Sequence, residues 1–267
     1  MKAPSMSATP FLGPTDPAPF EIINTNASLA LQLICDHASN TVPGSLNNLG
    51  LDGEVFTRHI AYDIGAAAVT HNIANALNAP AVLAGFSRLV IDLNRPLGHP
   101  ESMPEISDHT VIPGNHDLSE ATRKIRSDAL FNPYHEAINQ SISHIWQEGP
   151  APVLFSIHSF TPTMNGEVRP WDAGILWNRD PRLALPLIKG LTKSGFNVGD
   201  NQPYSGRDNL AYTIDMHGTA AGLANCVIEI RQDQIADKAG TNRWSEILIP
   251  LLKDVLTDRS LFQVQHF

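Results

Sequence analysis

The stretch Val153-Leu154-Phe155-Ser156-Ile157-His158-Ser159 is a short, mostly apolar run that ends in a histidine and a serine. A second apolar run, residues 29–34, leads in the same way into Cys35-Asp36-His37. Short apolar runs bounded by polar or turn residues are typical of buried central strands. Because ligands gather at the carboxyl ends of such strands in α/β proteins, the two histidines predict a shared site at one edge of a sheet.

Strand-like and helix-like segments alternate along the rest of the chain, which predicts a layered α/β fold. Further strands are predicted at residues 81–84, 89–93, 173–176, around 197–198 and at 225–230, and helices at 64–77, 119–147, 181–194 and 243–257. Pro133 predicts a kink or a break inside the longest helix. We therefore expect three layers, with a mixed or mostly parallel sheet flanked by helices.

The ends and the composition of the chain suggest its organisation. Residues 1–19 are rich in proline, serine and threonine, which predicts an irregular lead-in before a single α/β domain over residues 20–267. No apolar run reaches the ~18 to 20 residues that span a bilayer, and no signal-peptide pattern is present. Two cysteines are too few for a disulfide framework. We expect a cytoplasmic protein without a membrane partner, and its oligomeric state stays open.

The charge pattern favours a small anionic ligand. The chain has 18 basic and 27 acidic residues and no block of lysine and arginine, so a nucleic-acid partner is not expected. Arg88 and Arg95 flank an apolar segment, where their planar guanidinium groups suit a carboxylate, and Asn94 can bond an amide. A solvated strand end with Asp92 as internal partner is the alternative. The aperiodic, proline-rich residues 94–117 predict a binding loop or lid.

His37 and His158 predict a metal site when they are considered together. Each alone is more easily explained as a loop histidine held by hydrogen bonds. A catalytic zinc ion takes three protein ligands and leaves one position for water, and Asp63, at the start of a predicted helix, supplies the third. A helix N-cap is the alternative for Asp63, because a carboxylate is favourable there. The expected cofactor is one divalent ion, Zn²⁺, held by His37, Asp63 and His158.

Glu229 is the candidate base. It lies in the otherwise apolar Val227-Ile228-Glu229-Ile230-Arg231, and an acidic residue is rarely buried without a reason. A desolvated glutamate has a pKa raised toward neutral pH, which suits proton transfer from water to a leaving amine. Strand alternation places Glu229 and Arg231 on one face, so an ion pair between them is the alternative.

Five separated stretches resemble the N-formylglutamate amidohydrolase family. They are Cys-Asp-His-Ala-Ser-Asn at 35–40, His-Ile-Ala-Tyr-Asp-Ile-Gly-Ala at 59–66, Ser-Arg-Leu-Val-Ile-Asp-Leu-Asn-Arg-Pro at 87–96, Ser-Ile-His-Ser-Phe-Thr-Pro at 156–162 and Ile-Glu-Ile-Arg-Gln-Asp at 228–233. The similarity runs in one order over about residues 30 to 235. It implies a zinc-dependent amide hydrolase with a phosphorylase/hydrolase-like α/β fold, similar to that of zinc carboxypeptidases and cell-wall amidases.

The resemblance also implies roles for individual residues. The metal ligands are His37, Asp63 and His158, and Glu229 is the catalytic base. His217 is a second catalytic candidate that orients substrate or polarises the carbonyl, with a surface loop histidine as the alternative. The chemistry of the side chains, and not the resemblance, indicates the substrate-binding residues: Arg88, Arg95 or Arg231 anchors a substrate carboxylate, and Asn94 bonds the amide.

The implied substrate is a small anionic N-acyl amino acid. N-formyl-L-glutamate, cleaved to formate and L-glutamate in histidine degradation, suits these groups. A peptidase or cell-wall amidase of the same zinc fold, or a catalytically inactive binding protein, are the alternatives.

Overall fold

A seven-stranded sheet forms the middle layer of the computed structural model, which describes residues 11–208 and 211–267. Its strands are β1 Phe20–Ile23, β2 Leu31–Cys35, β3 Ala81–Ala84, β6 Val153–Phe160, β9 Ala173–Leu176, β10 Val198–Asp200 and β11 Asn225–Arg231. Two hairpins lie outside it, β4 Ile106–Ser107 with β5 Thr110–Val111, and β7 Thr163–Met164 with β8 Glu167–Val168. The helices are α1 Ala66–Leu77, α2 Glu120–Arg126, α3 Asn132–Glu148, α4 Ala184–Lys193, α5 Tyr212–His217 and α6 Lys238–Val255.

The strand order is β1-β3-β2-β6-β11-β9-β10. Strands β3, β2, β6 and β11 are parallel to one another, whereas β1 runs antiparallel to β3 and β9 runs antiparallel to β11, with β10 parallel to β9. The expected mixed, mostly parallel sheet is therefore confirmed. Its parallel centre brings the carboxyl ends of β2, β6 and β11 to one edge.

Helices cover both faces of the sheet, which confirms the three-layer arrangement. On one face, Val69 of α1, Leu187 of α4 and Trp244 of α6 belong to the larger hydrophobic core. On the other face, Ile138 of α3 and Ile214 of α5 belong to a second core. Every residue of β2 and β6 is buried, because both strands are central and covered on both sides.

Strand alternation decides which layer receives the polar side chains. In β6, Phe155 and Ile157 belong to the larger core, while Leu154 belongs to the second core. Because side chains repeat every second residue, His158 faces the side of Leu154. Glu229 of β11 is paired with His158 in the parallel ladder and faces the same side.

One predicted strand is wrong. Residues 89–93 are turns and irregular backbone instead. The carbonyl oxygen of Leu89 accepts from the Asn115 side chain at 2.8 Å and that of Val90 from the Arg126 guanidinium at 2.9 Å, so side chains replace a neighbouring strand. The apolar residues are buried as expected, but burial alone does not make a strand.

The long predicted helix is interrupted as Pro133 suggests. A π-helical turn, Ser127–Phe131, separates α2 from α3, and Pro133 lies in the first turn of α3. Proline has no N–H and crowds the carbonyl four residues earlier, so a regular α-helical bond cannot form across this point. Strand β1 and helix α5 were not predicted, since both are short and lack a clear apolar period.

The predicted lead-in is described only in part. Residues 1–10 lie outside the described residues, and residues 11–19 form bends and a turn without helix or strand. Among the described residues, none of the helices combines the length and the apolar character needed to cross a bilayer.

Candidate active site

The end of β2 and the segment before α1 bring Asp63 to His37. The Asp63 backbone N–H donates to the His37 carbonyl oxygen at 3.0 Å. Helix α1 begins at Ala66, and its N-cap is Gly65 with φ of 81°. A Cβ at Gly65 would lie 2.2 Å from the Ile235 carbonyl oxygen, so the close approach and the left-handed φ both require glycine. The N-cap alternative for Asp63 is therefore wrong, and its carboxylate is available to the site.

His37, Asp63 and His158 form one buried cluster. Oδ2 of Asp63 lies 3.3 Å from Nδ1 of His37 and 2.7 Å from Nδ1 of His158. One ligand atom from each of the three residues lies within 4.8 Å of the others, a group of the size that holds a metal ion. The structure therefore brings together the three predicted ligands, which come from three separate segments.

Two outer carboxylates fix the orientation of the imidazole rings. Nε2 of His37 lies 2.8 Å from Oδ1 of Asp92, and Nε2 of His158 lies 3.0 Å from Oδ2 of Asp36. An ionised carboxylate only accepts, so each Nε2 carries a proton, and a ring that becomes neutral loses its proton at Nδ1, the nitrogen that faces Asp63. This outer arrangement is the one that orients metal-binding histidines and increases their basicity.

The sequence did not lead us to predict that Asp36 and Asp92 hold the two histidines. The sequence signals were an aspartate adjacent to His37 and a second one inside the apolar run at Asp92. Asp36 accepts in turn from the Tyr134 hydroxyl at 2.9 Å and from the Thr213 hydroxyl at 2.7 Å. Nothing in the local sequence identifies these two partners, because they reach Asp36 from α3 and α5.

The buried charges stabilise positive charge at the centre of the cluster. Burial lowers the pKa of His158, but hydrogen bonds to its two carboxylate partners outweigh burial and raise it well above its ordinary value. Burial raises the pKa of Asp63, but the charge of His37 and hydrogen bonds from both histidines hold it below its ordinary value. The cluster therefore binds protons tightly at the two Nδ1 atoms, where a metal would replace them.

The donor set fits a zinc ion. Two imidazole nitrogens and a carboxylate oxygen are ligands that zinc takes in catalytic sites. Without Glu229, the group has three negative charges, on Asp36, Asp63 and Asp92, and one positive charge, on the Arg88 guanidinium. When both imidazoles are neutral, its net charge is therefore −2. A divalent cation balances this excess, and buried charge without a partner is costly.

Glu229 is paired with His158 in the sheet, and one of its carboxyl oxygens makes no hydrogen bond within the described residues. Its Oε2 is buried and has no hydrogen-bond partner among residues 11–208 and 211–267. Burial raises the pKa of Glu229 to about 7, although the charges of His158 and His37 oppose it. The alternative ion pair with Arg231 is wrong, because Arg231 instead contacts Asp233, with Nε to Oδ1 at 2.8 Å.

A cavity of about 540 Å³ opens over the cluster. The predicted ligands, Glu229 and three of the predicted substrate-binding residues line it: His37, Asp63, His158, Glu229, Arg88, Asn94 and Arg95. The loop predicted to bind substrate contributes part of the wall through Ile106 and Asp108, so this loop borders the site. A concave, largely pre-formed pocket with convergent polar groups is typical of a small-molecule site.

The three lining residues of the predicted substrate-binding set differ in their contacts. Arg88 donates from Nη2 to Oδ2 of Asp92 at 2.6 Å, which ties it to the cluster. Arg95 contacts Oε2 of Glu101 through Nε at 3.0 Å, farther out in the loop. Asn94 accepts from the Thr213 backbone N–H at 3.0 Å, which fixes its amide group.

Two predicted site residues are not brought to the cavity. Arg231 is absent from the described residues that line it and contacts Asp233. His217 is also absent from this lining, and it is a buried residue rather than the surface histidine of the alternative. Its Nε2 lies 2.8 Å from Nδ1 of His135, and its Nδ1 lies 2.9 Å from Oδ1 of Asn139. The structure thus places His217 in a buried pair with His135.

Comparisons with known proteins agree with this architecture. The sequence matches the N-formylglutamate amidohydrolase family over residues 29–236. A crystal structure of a gene product from Agrobacterium tumefaciens is 36% identical with a TM-score of 0.89, covering 92% of this chain and 98% of the other. An N-formylglutamate amidohydrolase from Ralstonia eutropha is 18% identical with a TM-score of 0.74, covering 91% and 99%, which shows a shared fold. No curated protein matches the chain.

Proposed function

The chain belongs to the N-formylglutamate amidohydrolase family, and from that premise we propose that it hydrolyses the amide of an N-acyl amino acid with the help of one zinc ion. N-formyl-L-glutamate, which gives formate and L-glutamate, is the proposed substrate. The observation that carries the proposal is the convergence of His37 Nδ1 and His158 Nδ1 on Asp63 Oδ2, with Glu229 paired opposite His158.

In the proposed reaction, His37, Asp63 and His158 would hold one ion through two nitrogens and one oxygen. A bound zinc ion supplies a Lewis acid for the amide carbonyl and lowers the pKa of water. His37 follows β2 and His158 lies in β6, while a backbone hydrogen bond ties Asp63 to His37, so the fold fixes their spacing. Asp92 and Asp36 keep the two rings turned with Nδ1 toward the centre.

Glu229 is proposed to move the proton. A carboxyl group with a pKa of about 7 is divided between its two protonation states at neutral pH. The carboxylate form takes a proton from the attacking water, and the acid form gives it to the nitrogen as the C–N bond breaks. Glu229 lines the same cavity as the cluster, and its Oε2 has no hydrogen-bond partner among the described residues, which supports this role.

Arg88 and Arg95 are proposed to attract the substrate carboxylates. Both line the cavity, and guanidinium groups match the planar geometry of a carboxylate. Arg88 lies 2.6 Å from Asp92 and 3.7 Å from Asp63, so an anion bound to it would lie close to the cluster. Arg95 lies farther out in the loop, beside Glu101, where it suits the side-chain carboxylate of the substrate.

A substrate series tests the proposal. The purified, zinc-loaded protein is assayed with N-formyl-L-glutamate, N-acetyl-L-glutamate and N-formyl-L-leucine. We expect the first to be cleaved with the highest kcat/KM, because it combines the smallest acyl group with two carboxylates. Cleavage of muramoyl-peptide amides in preference to all three would favour a cell-wall amidase, and absence of any hydrolysis would favour a binding protein.

Two histidine variants connect the activity to the cluster. His158→Ala is expected to lose both bound zinc and activity, because it removes one of three ligands. His71→Ala is the matched control, since His71 is a partly exposed histidine of α1 that contacts Glu21 outside the cavity. Full activity in His158→Ala would overturn the mechanism.

A further inference from the structure

Tyr204 lines the cavity and is held there by Arg169. It follows β10, and the described cavity wall includes it together with His158 and Glu229. Nη1 of Arg169 donates to the Tyr204 hydroxyl oxygen at 3.0 Å and to Oγ1 of Thr161 at 3.3 Å. The guanidinium carbon also lies 4.9 Å from the centre of the Tyr204 ring, a cation–π distance.

The contact with Arg169 determines where the phenolic proton can point. A guanidinium group only donates, so the Tyr204 oxygen accepts and its own O–H is directed elsewhere. In the described part of the chain, that hydroxyl has no acceptor. A half-buried phenol that accepts one strong hydrogen bond and lines a cavity therefore presents its proton to whatever occupies the cavity.

The surrounding charges keep this hydroxyl protonated and make it a strong donor. Burial raises the pKa of Tyr204, as does the charge of Glu229, whereas the charges of Arg169 and Arg88 lower it without cancelling the rise. The phenol is thus neutral at physiological pH. The positively charged Arg169, which donates to the phenolic oxygen, polarises the O–H bond of Tyr204. A hydrogen bond assisted by charge is stronger than a neutral one.

We propose that Tyr204 is a further catalytic residue, whose hydroxyl donates a hydrogen bond to the amide oxygen as that oxygen gains negative charge, and that Arg169 is its positioning residue. This inference rests on the proposed function. When the water oxygen bonds to the carbonyl carbon, the C=O electron pair moves to the oxygen, and Tyr204 stabilises this charge while it keeps its proton. The electron pair then returns as the C–N bond breaks, and the proton for nitrogen comes from Glu229.

The first test is Tyr204→Phe in the zinc-loaded protein. Removal of one pre-oriented donor to such an oxyanion lowers kcat by about 10²- to 10³-fold. We expect that loss in kcat with little change in KM, because the bond strengthens only in the transition state. Tyr212→Phe is the matched control, since Tyr212 packs against Phe131 and His135 and does not belong to the cavity wall.

A binding measurement gives a readout that does not depend on turnover. A phosphonamidate analogue of N-formyl-L-glutamate carries tetrahedral oxygens where the oxyanion forms, and L-glutamate carries none. Calorimetry should show weaker binding of the phosphonamidate to Tyr204→Phe and unchanged binding of L-glutamate. Equal loss for both ligands would show that Tyr204 only holds the substrate, which would overturn its assignment to the transition state.

A double-mutant cycle tests whether Arg169 acts through Tyr204. Arg169→Met should lower kcat in the native background, yet it should have no further effect in Tyr204→Phe, because the hydroxyl that it orients is already absent. Additive losses would overturn the positioning role.

Unchanged kcat in Tyr204→Phe, with the native protein active, overturns the inference alone. A native protein that hydrolyses no N-acyl amino acid overturns the proposed function and this inference together.

Discussion

Glu229 lies directly opposite His158 in the parallel pairing of β11 with β6. Both side chains emerge on the same face of the sheet, so the proposed base and a proposed metal ligand are held at the spacing of neighbouring strands. Parallel strands in the centre of a covered sheet are among the most rigid elements of a fold, and sites built on rigid elements keep their geometry. The proposed mechanism depends on this pairing.

Glu229→Gln should separate chemistry from metal binding. The amide has nearly the shape of the carboxyl group but cannot carry the proton, so we expect kcat to fall by about 10²- to 10⁴-fold. Zinc content should not change, because Glu229 is not one of the three proposed ligands. Steady-state kinetics and elemental analysis of the same preparation check both points. Loss of the zinc together with activity would instead make Glu229 a ligand.

Asp92→Asn should weaken zinc binding without removing a ligand. Asp92 holds Nε2 of His37 at 2.8 Å, and loss of such an outer carboxylate typically costs about 10- to 100-fold in metal affinity. Competition with a chelator of known affinity measures the change. Asp108→Asn is the matched control, since Asp108 also lines the cavity but pairs with Arg58. Equal affinities in native protein and Asp92→Asn would contradict the orienting role.

The arginines should differ in their effect on KM. Arg95→Met removes a guanidinium from the cavity wall, and loss of a charged contact to the substrate costs about 10-fold or more in KM. Arg231→Met should leave KM unchanged, because Arg231 contacts Asp233 away from the cavity. Kinetics on N-formyl-L-glutamate compare the two variants. A larger rise in KM for Arg231→Met would restore it as the substrate anchor.

The chain order of the motifs was sufficient to predict that His37, Asp63 and His158 lie together. Histidines after two apolar runs, with an aspartate before a helix, lie together because the parallel ends of β2 and β6 meet at one sheet edge. By contrast, the outer partners Tyr134 and Thr213 come from helices on the covering layer. Their positions depend on helix packing, and local sequence carries little information about it.

The wrong strand at 89–93 shows a second limit of sequence reasoning. An apolar run predicts burial, but whether the backbone bonds to a strand or to side chains is decided by the neighbours that the fold provides. Here Asn115 and Arg126 supply the bonds. The same irregular segment brings Oδ1 of Asp92 to 2.8 Å from Nε2 of His37. The wrongly predicted strand therefore lies where the site uses an irregular backbone.

The buried pair His135–His217 should make the protein less stable in acid. The Leu93 carbonyl only accepts, so His135 carries its proton on Nε2, 3.0 Å away, and its Nδ1 accepts from Nε2 of His217. Burial, reinforced by the charge of His135, lowers the pKa of His217 to about 4. Below the ordinary histidine pKa, the unfolded chain binds a proton that the folded chain does not, so stability falls as pH decreases from about 6.5 to 4.

Urea unfolding of metal-free protein at pH 7 and pH 5 measures this effect. Linkage with the pKa of about 4 predicts that His217 alone lowers the free energy of unfolding by about 2 kcal/mol between these pH values. In His217→Gln this part of the decrease should disappear, while the titration of other groups remains. The same decrease in both proteins would show that the pair is not responsible.

Titration of the metal-free protein with zinc, followed by release of L-glutamate from N-formyl-L-glutamate, tests the central claim most directly. The proposed ligands His37, Asp63 and His158 form one cluster, so activity should rise in proportion to added zinc and level off at about one ion per chain. His158→Ala should show neither the rise nor tight binding. Hydrolysis at the full rate by metal-free protein, unchanged when zinc is added, would contradict the account.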